Sequence, residues 1–374
     1  MHNTDIIGWD IGGAHVKAAR LSGAKTAQHR VLDVVQWPCP LWLGLHQLQQ
    51  VLNTAAQRWP DLAACQHAVT MTGEMVDCFE HRQDGVQRIA ALLAQTLPAA
   101  QFYGHDSGWC TADLAGDRWQ RIASANWLAT ASHCACALPD APGVLVDIGS
   151  TTTDLIAFDK GRVLTTQRSD VQRLASAELV YHGVVRTPLC ALARQVPWRG
   201  VQHNVMNEFF ATTADVYRLT GELKPEHDQH ATADGAAKDT AHTQARLARM
   251  IGLDARDGSA AEWVAFAQAW RAAQVAELRG QLQRVLLAHG LSRATRLVGA
   301  GCGAFLLPDL ACGAGPCWDY GRDVAALAAA PTDTQVAGWA SVAAPAVAVA
   351  VLLHNLTSQM MPASASPATL AEPR

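Results

Sequence analysis

The feature that most narrows the folds open to this chain is a unit that occurs twice. An apolar strand around Ile6 to Ile11 carries Asp10 near its end, runs into Gly12-Gly13, and is followed by a second strand from Val16 to Leu21. The arrangement restarts at Gly143-Val144-Leu145-Val146-Asp147-Ile148-Gly149, where Ser150 to Thr153 form a hydroxyl-rich turn and Asp154 to Phe158 continue as a strand. This is the internal repeat of a supersecondary unit rather than a solenoid period. With 374 residues, the chain exceeds the roughly 250–300 residues at which single cores stop growing, so two lobes are expected.

The remaining pattern fills in those lobes. After a strand at Val31 to Gln36, apolar residues three and four apart predict a helix over Leu41 to Trp59. A strand at Ala68 to Met71, a helix from Asp84 to Leu97, a short strand near Phe102 and a helix from Ala125 to Leu138 follow. In the second half, Asp159-Lys160-Gly161 reads as a hairpin turn before a strand from Arg162 to Gln167. Helices are expected at Asn207 to Leu219, Asp239 to Ile251 and Ala260 to His289, with a turn-prone insertion from Gly221 to Lys238. A last strand, Arg296 to Val298, enters Gly299-Ala300-Gly301-Cys302-Gly303, with helix from about Ala304. The expected lobes are residues 1–125 and 126–335, with a helix over 336–356 completing the first and a flexible tail over 357–374.

Composition excludes several classes. Hydrophobic residues make up 49% and charged residues 17%, enough for a large core. A formal charge of −4 without any Lys/Arg-rich run leaves no electrostatic footprint for nucleic acid. The run Val336 to Leu353, rich in Ala and Val and holding Trp339 and Pro345, falls short of the ~20 strongly apolar residues of a span and is expected to be a buried helix. No secretory leader stands ahead of Ile6, so the ten cysteines are expected to be reduced thiols in a cytoplasmic protein. None has the Cys-x-x-Cys spacing of a zinc site.

Three glycine-bearing turns carry the candidate chemistry. In Asp10-Ile11-Gly12-Gly13 the glycines allow a tight turn that presents backbone N–H groups to an anion, and Asp10 could hold a divalent cation beside phosphate. In Asp147-Ile148-Gly149-Ser150-Thr151-Thr152 the same logic recurs, with hydroxyls added. Either turn alone also fits a plain hairpin; two copies in one chain are more specific. Gly299, Gly301 and Gly303, between a strand and a helix, allow close backbone approach to a ligand. They are poorly placed for a dinucleotide fingerprint, which opens the first βαβ unit of its fold.

Two Asp–Gly turns and a late glycine-rich strand–helix junction, in this order, resemble the acetate/sugar kinase–Hsp70–actin superfamily. The fold this implies is α/β, with two ribonuclease-H-like lobes closing on a phosphorylated ligand. Four further runs, Thr70 to Glu74, Gly183 to Pro188, Phe209 to Glu222 and Thr232 to Gly235, resemble one branch, the hydantoinase/oxoprolinase-related proteins linked to tetrahydromethanopterin-dependent C1 transfer. That branch includes enzymes building the phenoxymethyl-furan-methanamine core of methanofuran and methylofuran. The resemblance implies a transferase that joins an aminomethyl-furanyl-methyl diphosphate to the phenol oxygen of a tyramine, glutamyl-tyramine or tyrosine unit.

Roles follow from the resemblance. Asp10 and Asp147 would position Mg²⁺ on the diphosphate. Gly12, Gly13, Gly149, Ser150, Thr151 and Thr152 would hold its oxygens, with Thr72 and the three late glycines as further binding candidates. Lys17 and Arg186 would neutralise developing charge, Arg because its fork matches phosphate oxygens. His182, Asp215 and Glu74 are candidate bases for a phenol whose pKa is ~10. Ordinary alternatives stand beside these: Lys17 as a solvent-facing strand residue, Arg186 as a structural ion-pair partner, His182 as a polar histidine without a role, and Asp215 as a local partner of nearby Arg218. Whether ATP binds is open, as is a homo-oligomer. A small-molecule kinase, a hydantoinase/oxoprolinase-type hydrolase subunit and a non-catalytic nucleotide-driven clamp are the competing functions.

Overall fold

The computed structural model describes residues 4–23, 30–105, 108–328 and 334–360. Six strands, β1 (Ile6–Ile11), β2 (His15–Leu21), β3 (Val31–Pro38), β4 (Gln66–Met71), β5 (Gln101–Gly104) and β6 (Gly108–Cys110), form one sheet in the order β3-β2-β1-β4-β5-β6. The second half contributes β7 (Gly143–Ile148), β8 (Thr153–Asp159), β9 (Arg162–Val163), β10 (Leu179–Val180), a separate hairpin of β11 (Gln195–Trp198) and β12 (Val201–Asn204), then β13 (Arg296–Ala300) and β14 (Cys317–Asp319). The second sheet runs β10-β8-β7-β13-β14, with β9 on the edge of β8.

Each repeated unit is therefore an antiparallel hairpin whose first strand also pairs in parallel, β1 with β4 and β7 with β13. All six residues of β1 and all six of β7 are buried, as expected for central strands covered on both faces. Burying side chains such as Ile7, Ile11, Leu145 and Ile148 stabilises the fold by about 1.5–3 kcal/mol apiece.

The helices Asn126–Ala137 and Ala344–Met360 pack on each other, the first against β7 and β8 and the second against β1, β2 and β4. Their buried faces join residues of both sheets, Ile6 and Ala19 with Leu145, Ile156 and Val298, into one middle core. Outer cores flank it: one around Trp9, Val51 and Ile89, the other around the long helix Ala260–Ala288 with Trp263 and Trp270.

Several elements differ from the sequence expectation for local reasons. The helix expected over Asn207 to Leu219 spans only Thr213–Thr220, because Thr212 and Asp215 form a capping box that starts it there. The run expected as one helix over Val336 to Leu353 is two helices, Thr334–Val342 and Ala344–Met360, the break falling just before Pro345, which lacks the N–H a continuous helix would use. The pair is bent by 86°, and no single helix among the described residues is long and apolar enough to cross a membrane. Of the tail expected over 357–374, residues 361–374 lie outside the described residues, and 357–360 continue the last helix.

Candidate active site

The two repeated turns face one another across a cleft of about 330 Å³. Their backbones are closed by the same hydrogen bond, Gly12 N–H to the His15 carbonyl at 2.9 Å and Gly149 N–H to the Thr152 carbonyl at 2.8 Å. In the first unit the ladder sets Asp10 opposite Lys17, and the Lys17 Nζ lies 3.8 Å from Asp10 Oδ2. Asp10 Oδ1 is buried without a hydrogen-bond partner. Burial raises the Asp10 pKa, with Lys17 opposing the shift.

In the second unit the residue opposite Asp147 is Asp154. Burial, and then the charge of Asp154, push the Asp147 carboxyl up to about 7. Asp154 itself is paired with Arg173, a buried guanidinium on the helix Asp170–Ser176 that also lies 4.2 Å from the Trp127 ring centroid. Asp147 has no ion-pair partner among the described residues.

A third segment completes the second wall. The run Gly183 to Pro188 passes directly beneath the Ser150–Thr151 peptide: a Cβ at Gly183 would sit 2.4 Å from the Ser150 carbonyl carbon and the Thr151 nitrogen. The close approach lets Val184 N–H donate to the Gly149 carbonyl at 3.0 Å and Arg186 N–H to the Ser150 carbonyl at 2.8 Å. Arg186 is thereby carried to the cleft, 3.4 Å from the Thr151 hydroxyl, with no acidic partner among the described residues. Burial lowers its pKa.

The residues singled out from the sequence thus divide in two. Asp10, Gly12, Gly13, Lys17 and Thr72 line one wall, and Asp147, Gly149, Ser150, Thr151, Thr152 and Arg186 the other. The rest lie elsewhere. Glu74 is fully buried and accepts from Arg82 at 2.7 Å and from the Ser124 hydroxyl at 3.0 Å; Arg82 also reaches Asp170 at 3.2 Å. Asp215 accepts from Arg246 and Arg218, both at 2.8 Å, and caps its own helix. The His182 carbonyl accepts from Thr153, while burial lowers the pKa of its ring. Gly299 packs against Leu307, and Gly303 against Ile148 and Val184. Gly301, at φ +82°, lies so close behind the second turn that a Cβ there would sit 2.2 Å from the Ile148 carbonyl oxygen and 2.6 Å from Asp147 Oδ1. Gly301 and Gly303 therefore back the Asp147 turn, while Gly299 does not touch it.

Asp154, Asp170 and Arg173 line the cleft as well, and the sequence reading did not pick them out. The signal was available for Asp154, which stands in the second copy where Lys17 stands in the first. Arg173 had none, since its part depends on a helix docking beside β8.

The carboxylates on the cleft walls are Asp10, Asp147, Asp154 and Asp170, against the cations Lys17, Arg173 and Arg186. A polyanion entering this excess of acid needs a further cation. Hard oxygen donors, one with a buried orphan oxygen, fit Mg²⁺, which is usually held by one or two carboxylates together with substrate phosphates. Among the described residues, no group of three His, Cys, Asp or Glu side chains offers an all-protein metal cage.

The sequence model of the hydantoinase/oxoprolinase family matches residues 66–316. The chain belongs to this family. It is 30% identical over 250 residues to the (4-{4-[2-(gamma-L-glutamylamino)ethyl]phenoxymethyl}furan-2-yl)methanamine synthase of Methanocaldococcus jannaschii, covering 67% of this chain and 72% of that protein. To the synthase of the same name from Methanococcus vannielii it is 29% identical over 166 residues, 44% of this chain and 73% of that protein. The resemblance drawn from the four sequence runs and the expectation of an enzyme agree with these relatives. Among solved structures, nucleotide-free acetone carboxylase matches with a TM-score of 0.51 at 11% identity, covering 94% of this chain and 70% of that one, which speaks to fold alone. The fold is that of the acetate/sugar kinase–Hsp70–actin proteins.

Proposed function

We propose that this family member is a cytoplasmic transferase that joins an aminomethyl-furanyl-methyl diphosphate to the phenol oxygen of a tyramine, glutamyl-tyramine or tyrosine unit, releasing diphosphate. The observation that carries this is the facing pair of Asp–Gly turns, with an acid on each, Lys17 and Arg186 on opposite walls, and a ring of amides and hydroxyls between them. The names of the two synthases supply the substrate class.

The residues account for such a reaction in physical terms. The turn amides of Gly12, Gly13 and Gly149, with the hydroxyls of Ser150, Thr151 and Thr152, would orient the diphosphate. Asp10 and Asp147 would hold Mg²⁺, which supplies charge neutralisation to the diphosphate when bound. Lys17 and Arg186 would stabilise the negative charge that grows on the departing group. The methylene–oxygen bond to diphosphate breaks, and its electron pair leaves with the diphosphate. The phenol oxygen forms the new carbon–oxygen bond. Its proton, made strongly acidic as that bond forms, passes to an oxygen of the departing diphosphate, so no side-chain base is required. The furan, being electron-rich, spreads the positive charge that appears at the methylene.

The test is a mass-spectrometric assay of purified protein with Mg²⁺, the furan-methyl diphosphate and each of the three acceptors, with and without ATP. Ether product with released diphosphate, independent of ATP, is expected. No product with any acceptor, together with ATP hydrolysis or phosphate transfer, would move the chain to the kinase or hydrolase class.

A further inference from the structure

Beside the cleft lies a second cavity of about 380 Å³ that shares two of its wall residues, Trp42 and Arg186. Three of the runs that carried the family resemblance converge on it. Val185, Arg186 and Pro188 come from the first, Phe209, Thr212, Ala214 and Arg218 from the second, and Thr232 from the third. Apart from Arg186, nothing in the phosphate chemistry calls for these residues. Where it meets the cleft, the wall is formed by Trp42 and Arg186. Trp42 is 37% exposed and Phe209 56% exposed, so both aromatic side chains present surface to this space.

The shared boundary has a defined chemistry. The Arg186 guanidinium stacks on the Trp42 ring at 5.1 Å from its centroid, and the His230 ring lies 5.9 Å from Trp42 and 4.4 Å from His15. Arg186 is therefore a half-buried cation without an acid, standing between the two spaces. At the far end, Asp228 is held by Arg218 at 2.6 Å and Lys238 at 3.0 Å, while Arg218 also serves Asp215. Of the charged side chains on this cavity's wall, Arg218 and Asp228 are paired with each other and with further partners, which leaves Arg186 as the cation without an acid among the described residues. Such a wall favours an anion over an ammonium group.

We propose that this cavity is the acceptor subsite. It seats the aromatic ring of the phenolic substrate against Phe209 and Trp42, with the phenol oxygen at the Arg186 boundary and an anionic arm within the field of that unpaired guanidinium. The assignment rests on the transferase reading above, and adds where the acceptor binds and which charge it carries. The volume is sufficient: a benzene-sized ligand fills an apolar cavity of about 150 Å³, which leaves room here for a short arm. Arg186 faces both spaces, so one guanidinium would sit near the leaving diphosphate and the attacking oxygen together.

Two phenols of similar length and opposite charge separate the possibilities: 3-(4-hydroxyphenyl)propanoate and tyramine, each titrated calorimetrically into the full-length protein. The propanoate is expected to bind about tenfold more tightly than tyramine, a difference of roughly 1.4 kcal/mol. Phe209→Ala should weaken both phenols about tenfold by removing a ring contact. Ala231→Phe, which fills the cavity from an exposed position, should abolish both. Binding of inorganic diphosphate with Mg²⁺ should stay within about twofold in each variant, which guards against misfolding. Phenol binding unchanged in both variants, or absent from the wild type, would overturn the subsite, and tighter binding of tyramine would overturn its charge. If the phenols bind as expected but no ether is ever formed, the subsite stands and the transferase reading falls. If ether forms while both variants keep full phenol affinity, the reverse holds.

Discussion

Lys17 and Asp154 occupy the same place in the two copies of the strand–turn–strand unit, each directly across the ladder from the acid of its turn. The turns around them are closed by equivalent hydrogen bonds. The surroundings differ in sign. Asp10 carries its own cation, whereas Asp147 faces a second carboxylate whose ion-pair partner among the described residues is Arg173, itself shared with Asp170. Duplicating a backbone has thus produced two anion-ready turns, of which the first brings positive charge and the second an excess of negative charge. On the proposed reading, a cleft built this way would take a polyanion together with a hard cation.

The largest effects should come from breaking that asymmetry at the acids. Asp147→Asn is expected to lower kcat/KM for ether formation by about 10³-fold or more, and Asp10→Asn by a smaller factor of about 10², both on the scale of losing one preorganised electrostatic group. Equal losses would mean that the cross-strand residues do not differentiate the turns, and steady-state rates of diphosphate release decide it. Next comes the support behind the second acid. Gly301→Ala forces a Cβ against Asp147 Oδ1 and the Ile148 carbonyl in a left-handed backbone conformation. A shift of about 1 Å in a catalytic group costs on the order of 10² in rate, so kcat should fall by about that factor while the first turn is untouched. A variant with wild-type kcat would show that Asp147 does not need its place.

The first turn is probed by Lys17→Met. Losing the cation removes the interaction that opposes the rise in the Asp10 pKa. The KM for the furan-methyl diphosphate should rise about tenfold, with a smaller change in the KM for the phenol. If both KM values move together, Lys17 is not specific to the diphosphate side.

Much of this contrast could be seen in the sequence, and the parts that could not have identifiable causes. The duplicated strands were legible because central strands buried on both faces read as unbroken apolar runs ending in Asp and Gly. The cleft residues of both turns followed from the same pattern. Glu74 and Asp215, by contrast, looked functional because they lie in family-like runs, yet their partners Arg82, Ser124, Arg218 and Arg246 make them part of buried networks. Arg218, three positions from Asp215, was within local reach and was read as a partner, but pairing across 8 to 50 positions, with Arg82, Arg246 and Ser124, leaves no local mark. The Asn207 to Phe210 stretch was read as part of a helix, and the Thr212–Asp215 capping box, which starts the helix only after it, was not weighed. The second cavity was unreadable for a similar reason, since its walls come from segments scattered between Trp42 and Thr232 and only the folded chain collects them.

The smallest expected effect is on stability, and it separates the two acids without any substrate. The folded-state pKa of Asp147 is raised from the ordinary carboxylate value of 3.8 to about 7. Between those values the folded protein binds more protons at this site than the unfolded chain does, so the site makes stability fall as pH rises from about 4 to about 7. Asp147→Asn removes the ionisable group and with it that loss. The variant should melt at nearly the wild-type temperature at pH 4 and about 5 °C above it at pH 8, measured without Mg²⁺ or diphosphate. Asp10 is also raised by burial, but Asp10→Asn leaves the part-buried Lys17 without its partner. Its gain at pH 8 should therefore be smaller or absent. The same rise in both variants would erase the distinction between the turns, and a rise confined to Asp147→Asn would locate the unneutralised charge in the second copy.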